Sequence, residues 1–335
     1  MPATLMNAAV LETWLSAAVA APSIFNTQPW DFRLDPDVPA LDVRAARGRS
    51  LRAADPAGRA LHLSVGAAVF NLRVAVARHG WVPVVRLLPR PDDPGLLARV
   101  RLEQGPLRGG DHRDDLYEAI WRRHSSRFPF ADRPVPAYVR AELAEAAHAS
   151  GAVLGFPAPA ERALLLRITA EAEDRNRSDP ERATESRRWV HREPADRADV
   201  GLPRATLGLQ DAQERLPMRD FTAQRHLERL PAAEFERQPV IGLLSTAHDR
   251  RTDWLRAGQA LQHVLLVATA HDLRTSLLHQ AMEWPDLRRR MRPAPEHSGH
   301  VHMLVRLGYG PQGPAAPRRA PDRLLQEPVR HEGRV

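Results

Sequence analysis

Two short stretches of the sequence concentrate side chains that could bind and orient a ligand. The first reads A-P-S-I-F-N-T-Q-P-W over residues 21–30, directly after a predicted helix that Pro22 ends. Four polar side chains lie within this one loop, namely Ser23, Asn26, Thr27 and Gln28. Their donors and acceptors exceed what a connecting turn needs, so the sequence predicts a binding loop that leads into a strand.

The second stretch reads R-R-H-S-S-R-F-P-F over residues 122–130 and places arginines around hydroxyl groups. In an extended or turn conformation, Arg123, Ser125 and Arg127 project to one side of the chain. Two guanidinium groups beside a hydroxyl form a good receptor for a phosphate monoester. On composition alone, the same cluster is also typical of a solvated surface.

The composition excludes several kinds of site. The 335 residues include no cysteine and no lysine, so all 48 basic residues are arginine. This excludes disulfides, thiolate nucleophiles, iron–sulfur clusters, lysine Schiff bases and lysine-containing phosphate loops. The formal net charge of +7 is spread along the chain without interleaved aromatic residues, so we expect a solvated surface and no nucleic-acid partner.

The N-terminal segment does not have the pattern of a targeting signal. Residues 1–10 hold no arginine, and Glu12 lies at the front of the apolar stretch that follows. A signal peptide would begin with positive charge and an unbroken apolar core. No apolar run reaches the ~20 residues of a membrane span. We therefore expect a soluble cytoplasmic protein with no membrane partner.

The chain contains one internal repeat. The segment around Gly66 aligns without a gap with the segment around Gly258, and apolar residues recur in both at helical spacing. Small residues line one stripe of each segment, which predicts two long helices packed closely together. A second match joins V-R-L and G-P within residues 100–106 to V-R-L and G-P within residues 305–311. We therefore predict two halves, residues 1–108 and 109–335, joined by residues 105–115.

Hydrophobic periodicity predicts mixed helices and strands, and hence an α+β fold with a sheet beside a packed helical core. Predicted helices cover residues 5–20, 57–79, 114–122, 136–148, 159–174 and 253–271. Predicted strands cover residues 30–34, 41–44, 81–88, 97–103, 152–155, 239–246, 273–275 and 300–307. A long irregular region is predicted over residues 175–237.

Together these segments resemble the flavin-dependent nitroreductase family, and in particular its Acg-like branch with two tandem repeats. The family pattern has an R-x-S-x-R arm followed by V-P and a helix, then P-S-x-x-N-x-Q-P-W leading into a strand. Here the arm and Val135-Pro136 lie in the second half, whereas the P-S-x-x-N loop lies in the first. The basic segment that ends the family pattern corresponds to Pro317-Arg318-Arg319.

The resemblance implies a nitroreductase-like α+β fold in which the two tandem halves form an internal pseudo-dimer. In the family, two subunits share each FMN site, so complementary loss of motifs leaves one complete site per chain. The second half would supply to the cofactor Arg123, Ser125, Arg127 and Arg318 or Arg319. The first half would supply Pro22, Ser23, Ile24, Asn26 and Gln28.

Other segments have less specific interpretations. Residues 175–237 are expected to form a lid over the flavin, with a peripheral helical insertion as the alternative. The segment Glu283-Trp284-Pro285, within the extra residues of the second half, is a candidate border of the flavin ring. Three histidines are expected to lie on the surface rather than to bind a metal, namely His297, His300 and His302.

The resemblance implies an FMN-binding oxidoreductase that passes a hydride from NAD(P)H to a nitroaromatic, a quinone or a similar acceptor. The flavin carries this chemistry, so no catalytic side chain and no metal are expected. The alternative is a protein that sequesters, stores or senses FMN under a closed lid, with little or no turnover. The expected partners are a small-molecule electron acceptor and NAD(P)H, with the chain as a monomer or a homodimer.

Overall fold

The computed structural model describes residues 7–105, 114–191, 199–222, 231–291 and 299–326. Within them, the α-helices are α1 Ala8–Val19, α2 Arg59–Arg78, α3 Asp114–Arg122, α4 Ala137–Ala149, α5 Pro159–Ser178, α6 Pro180–Arg188, α7 Arg251–Ala270 and α8 Pro285–Arg290. The strands are β1 Trp30–Leu34, β2 Ala40–Ala45, β3 Val82–Leu87, β4 Leu96–Glu103, β5 Val153–Gly155, β6 Val190–His191, β7 Leu202–Pro203, β8 Gln210–Asp211, β9 Ala232–Ala233, β10 Val240–Thr246, β11 Arg274–Leu278, β12 His300–Gly308 and β13 Leu325–Gln326. This mixture confirms the predicted α+β class.

Two main sheets flank the helices. In the first sheet the strand order is β13-β1-β2-β4-β3, and β13 pairs with β1 in parallel whereas the other pairs are antiparallel. In the second sheet the order is β11-β12-β10-β5, and all of these pairs are antiparallel. Two short parallel ladders, β6-β7 and β8-β9, lie between α6 and β10.

The two main sheets draw largely on separate parts of the chain. Strands β1 to β4 lie within residues 30–103, and the strands of the second sheet lie within residues 153–308. Strand β13 is the exception, because residues 325–326 return to the first sheet. The predicted join at residues 105–115 falls mostly outside the described residues, and the division into two halves stays a prediction.

The core is organised around the crossing of α2 and α7. A Cβ atom on Gly258 would lie 2.1 Å from the Leu63 carbonyl oxygen and 2.9 Å from Gly66 Cα. Glycine allows two backbones to approach this closely, so the prediction of two closely packed helices is confirmed. Apolar side chains on both helices, such as Val69 and Val264, are buried in the main hydrophobic cluster.

Helix α2 owes its apolar composition to its central position. Among the described residues, it is the one helix whose length and hydropathy would suffice to cross a bilayer. In the fold, 83% of that apolar stretch is buried. Its neighbours include α1, α3, α7 and the first sheet. The composition is therefore that of a core helix.

The structure adds elements that periodicity did not predict. The insertion of residues 175–237 contains α6 and four short strands in place of an irregular region. Helix α6 begins at Pro180 because the Asp179 carboxylate accepts hydrogen bonds from the backbone N–H groups of Glu181 and Arg182, at 2.9 and 3.1 Å. The sequence carried this N-cap signal, but α6 buries too few side chains to show an apolar stripe.

His302 differs from the expectation of a surface histidine. It is buried, with Nε2 2.5 Å from Thr246 Oγ1 and Nδ1 3.0 Å from Arg59 Nη2. Burial, and then the positive charge of Arg59, lower the pKa of His302 to about 3. His300 is partly buried, and His297 lies outside the described residues. A group of metal-ligating side chains is not found among the described residues.

We expect Gly258→Ala to lower the free energy of unfolding by about 3 kcal/mol, because the added methyl group would overlap the backbone of α2. Equilibrium unfolding in urea measures this change. Gly48→Ala is the matched control: nothing lies within 4 Å of a Cβ at Gly48, and the change there should stay within about 0.5 kcal/mol. Equal losses in the two variants would contradict the close helix crossing.

The buried His302 should make the free energy of unfolding depend on pH. Its folded-state pKa is about 3 and its ordinary value is 6.5, so the unfolded chain binds more protons between these values. This stabilisation is complete above about pH 6.5 and is lost as the pH falls towards about 3. Urea unfolding at about pH 7 and about pH 5 should show a drop that is smaller in His302→Gln. Identical drops in both proteins would contradict this assignment.

Candidate functional site

A cavity lies where the loop of residues 22–28 meets the arm of residues 123–127. About 1030 Å³ of space free of protein atoms lies within its walls and at its mouth, a figure that includes open solvent. Five loop residues line it, namely Pro22, Ser23, Ile24, Phe25 and Asn26. The lining also includes Arg123, Ser125 and Arg127 of the arm, together with Arg318. Two motifs far apart in the sequence, and a third segment near its end, therefore meet in one place.

The arm begins where α3 ends and runs beside β11. The Ser126 backbone N–H donates to the Thr275 carbonyl oxygen at 2.8 Å, and Ser125 forms an isolated parallel bridge with Thr275. Ser126 Oγ donates to the Pro311 carbonyl oxygen at 3.1 Å. These bonds hold the arm against the second sheet. The predicted residues Arg123, Ser125 and Arg127 line the cavity together, and His124 between them lines it as well.

Arg123 is a buried cation with unused hydrogen-bond donors. Its Nη2 donates to the Ala20 carbonyl oxygen at 3.3 Å, whereas Nε and Nη1 find no partner among the described residues. Burial, and then the positive charge of Arg318, lower the pKa of Arg123 to about 9. A buried guanidinium group with free N–H groups favours the binding of an anion.

Arg318 places a second guanidinium group in the same cavity. Its Nη1 donates to Asn26 Oδ1 at 3.0 Å, and its Nε finds no partner among the described residues. Burial lowers the pKa of Arg318 to about 10. Because the pKa values of Arg123 and Arg318 stay above neutral pH, both side chains remain charged, and a phosphate group would neutralise them.

Arg127 connects the arm to the insertion. Its Nη1 donates to the Thr206 carbonyl oxygen at 2.6 Å, and its guanidinium carbon lies 4.6 Å from the centre of the Phe221 ring. Gly208, with φ of +83°, packs so closely that a Cβ there would lie 2.3 Å from Arg127 Cβ. Burial lowers the pKa of Arg127 to about 10. A third cation, which is partly buried, therefore lines the cavity.

The loop with the P-S-x-x-N motif has an uncommon backbone conformation. Phe25, Asn26 and Gln28 have positive φ angles of 50°, 54° and 48°. Asn26 Nδ2 donates to the carbonyl oxygens of Gly201 and Pro317, at 2.9 and 2.8 Å. Asparagine adopts left-handed angles more readily than most residues, and its amide ties the loop to two other segments. These bonds offset the strain of the loop and fix its position in the cavity wall.

Two of the predicted site residues do not line the cavity. Gln28 is fully buried: its Nε2 donates to the Asp199 carbonyl oxygen at 2.7 Å, and its Oε1 accepts from the Arg319 backbone N–H at 3.0 Å. The Arg319 side chain faces the Asp199 carboxylate, with Nε 3.6 Å from Oδ2. Both residues brace the C-terminal segment against the insertion. Of the two neighbouring arginines, it is Arg318 that lines the cavity.

The cavity wall also includes residues that the sequence did not single out. Leu202, Arg219 and Phe221 come from the insertion, and His279 follows β11. They lie far along the chain from both motifs, and tertiary packing alone brings them to the cavity. The insertion therefore forms part of the wall, which fits the lid interpretation better than a peripheral position.

The segment Glu283-Trp284-Pro285 does not line the cavity. The Glu283 carboxylate is buried behind the wall, where it accepts hydrogen bonds from Arg219, from Arg182 at 3.0 Å and from His279 Nδ1 at 3.3 Å. Burial alone would raise the pKa of Glu283, but the positive charge of Arg219 and the hydrogen bond from His279 outweigh it and lower the pKa to about 2. Glu283 therefore stays ionised and holds part of the wall in place.

Known proteins resemble this chain over nearly its whole length. A Mycobacterium tuberculosis protein (strain ATCC 25618 / H37Rv), provisionally named NAD(P)H nitroreductase, is 31% identical over 327 residues, covering 96% of this chain and 92% of that protein. The chain belongs to the nitroreductase family. A second relative from that strain, named acg, is 29% identical over 330 residues, covering 97% of this chain and 98% of that protein. The resemblance to the family and to its Acg-like branch is confirmed.

Solved structures of nitroreductases superpose on parts of the chain. The FMN and NADPH-dependent nitroreductase NfnB from Sphigopyxis sp. strain HMH gives a TM-score of 0.41 and 18% identity, covering 63% of this chain and 97% of that chain. A nitroreductase with bound FMN from Desulfitobacterium hafniense DCB-2 gives a TM-score of 0.38 and 14% identity, covering 63% of this chain and 96% of that chain. No protein-family model matches the chain.

Proposed function

We propose that this chain is an FMN-dependent oxidoreductase of the nitroreductase type. When bound, FMN supplies hydride transfer from NAD(P)H to a nitroaromatic, a quinone or a similar small acceptor. The proposal is carried by one observation: Arg123 and Arg318 line a cavity that the family's two motifs build, and each has buried guanidinium N–H groups without a partner among the described residues. Buried cations without a counter-charge are what the phosphate of FMN would neutralise.

The lining of the cavity suits FMN in two respects. Arg123, Arg318 and the Ser125 hydroxyl offer charge and donors for the phosphate. Apolar side chains such as Ile24 and Leu261 line other parts of the wall and would contact the flat ring. Arg127 adds a third positive charge to the same cavity, which favours an anionic ligand.

The distribution of the motifs sets the expected stoichiometry. The P-S-x-x-N loop occurs only in residues 1–108, and the arm occurs only in residues 109–335. The two tandem halves would thus form an internal pseudo-dimer with one FMN per chain, whether the protein is a monomer or a homodimer. Two FMN molecules per chain would contradict this arrangement.

The insertion supports a second candidate function. It contributes Leu202 and Phe221 to the cavity wall, and it is hydrogen-bonded to the loop through Asn26 and Gln28. A wall anchored in this way would limit the access of a bulky nucleotide to the cofactor. The protein would then sequester, store or sense FMN with little turnover.

Anaerobic titration with NADPH, with NADH in parallel, distinguishes these two functions. For the reductase, we expect the visible flavin absorbance to bleach with about one equivalent of nucleotide per FMN and to return when a quinone is added. Absorbance that persists with both nucleotides would favour the flavin-holding protein. A colourless protein that does not bind added FMN would contradict both functions.

Arg123→Ala tests whether FMN occupies this cavity. The variant loses buried N–H donors for the phosphate, so the FMN content after gel filtration should fall about tenfold or more. Arg122→Ala is the matched control, because the adjacent Arg122 side chain is 50% exposed and pairs with Asp272 instead. It should retain the wild-type FMN content. Unchanged FMN content in Arg123→Ala would locate the cofactor elsewhere.

A further inference from the structure

Two histidines line the cavity, His124 and His279, and their surroundings differ. His124 lies among cations: burial, and then the positive charge of Arg123, lower its pKa. His279 instead lies against a carboxylate, with Nδ1 3.3 Å from Glu283 Oε1. A histidine among cations is held in its neutral form, whereas a histidine beside a carboxylate can carry and donate a proton.

The state of Glu283 defines which nitrogen of His279 is available. The Glu283 side chain is fully buried and ionised, so its oxygens can only accept hydrogen bonds. Nδ1 of His279 must therefore carry the hydrogen of this bond. Within the described residues, His279 makes no hydrogen bond through Nε2. Since His279 lines the cavity, Nε2 is the nitrogen left to meet a ligand.

The carboxylate of Glu283 remains an acceptor because other cations bind it. Arg182 and Arg219, which both belong to the insertion, donate to it. These ion pairs keep the proton on His279 rather than on Glu283. The charged groups that surround the pair come from four other segments of the chain, namely Asp55, Glu173, Arg182 and Arg219.

We propose that His279 donates the proton that the acceptor takes up during its reduction in this cavity, and that Glu283 positions His279 for this step. The proposed function supplies the hydride, so this inference rests on it. A quinone that receives a hydride is left with one negatively charged oxygen. A proton from His279 Nε2–H completes the hydroquinone, and the acceptor has then gained two electrons and two protons. The neutral ring keeps the hydrogen on Nδ1, which still donates a hydrogen bond to Glu283. It then takes up a new proton from water at Nε2.

Stopped-flow measurement of the two half-reactions of the FMN-loaded protein tests this role. In His279→Gln, reoxidation by a water-soluble quinone should slow about 100-fold, whereas reduction by NADPH should keep its wild-type rate. Wild-type reoxidation should also slow as the pH rises, because the step consumes a proton. This pH dependence should be absent in the variant. Equal rates and equal pH profiles for the two proteins would overturn the proposal.

His271→Gln is the matched control. His271 also pairs with a glutamate, with Nε2 2.8 Å from Glu142 Oε2, but this pair lies outside the cavity lining. The control should keep wild-type rates in both half-reactions. A wild-type protein that NADPH does not reduce would overturn the proposed function and this inference together. Normal reduction with unchanged reoxidation in His279→Gln would overturn the inference alone.

Nitrogen-15 NMR of the histidine side chains gives a readout that does not depend on turnover. The His279 signals are identified as those absent from the spectrum of His279→Gln. In the neutral form of the ring, these signals should show the hydrogen on Nδ1, as the bond to Glu283 requires. A hydrogen on Nε2 would overturn the proposal, because His279 would not then be oriented by Glu283.

Discussion

The close contact between Gly66 and Gly258 is the constraint on which the rest of the structure depends. It lets α2 and α7 cross with their backbones almost touching, and the other core elements pack around this pair. The loop of residues 22–28 continues into β1 of the first sheet, and the arm of residues 123–127 is bonded to β11 of the second. Helix packing therefore brings the two motifs into one cavity.

The arginine side chains that line the cavity form two groups with different partners. Arg123 is buried and Arg127 and Arg318 are partly buried. No carboxylate partner is found for these three cations among the described residues, so they favour an anionic ligand. Arg219 belongs to the other group, because Glu283 neutralises it. The first group therefore favours a phosphate, and the second is compatible with an uncharged acceptor.

Features that rest on contiguous sequence were predictable. Strand β1 and helix α3 match their predicted bounds, residues 30–34 and 114–122, because alternation and helical periodicity are local properties. Of the candidate site, the loop and the arm could be found because each is a compact motif. Their role in binding a cofactor stays a prediction.

Contacts fixed by tertiary folding were not predictable. Arg318 and Arg319 look equivalent in sequence, and they differ because Gln28 binds the Arg319 backbone and so orients the segment. His302 has no local signal of burial, because its partners Thr246 and Arg59 come from distant elements. Residues of the insertion reach the cavity through packing that no periodicity encodes.

The location of both motifs on one chain affects how the cavity responds to dilution. When two separate chains share a site, the site is lost below the dissociation constant of the pair. Here the loop and the arm are covalently linked, and each experiences the other at an effective concentration that dilution does not change. Formation of the cavity is therefore a unimolecular folding event, and its occupancy depends only on the concentration of ligand.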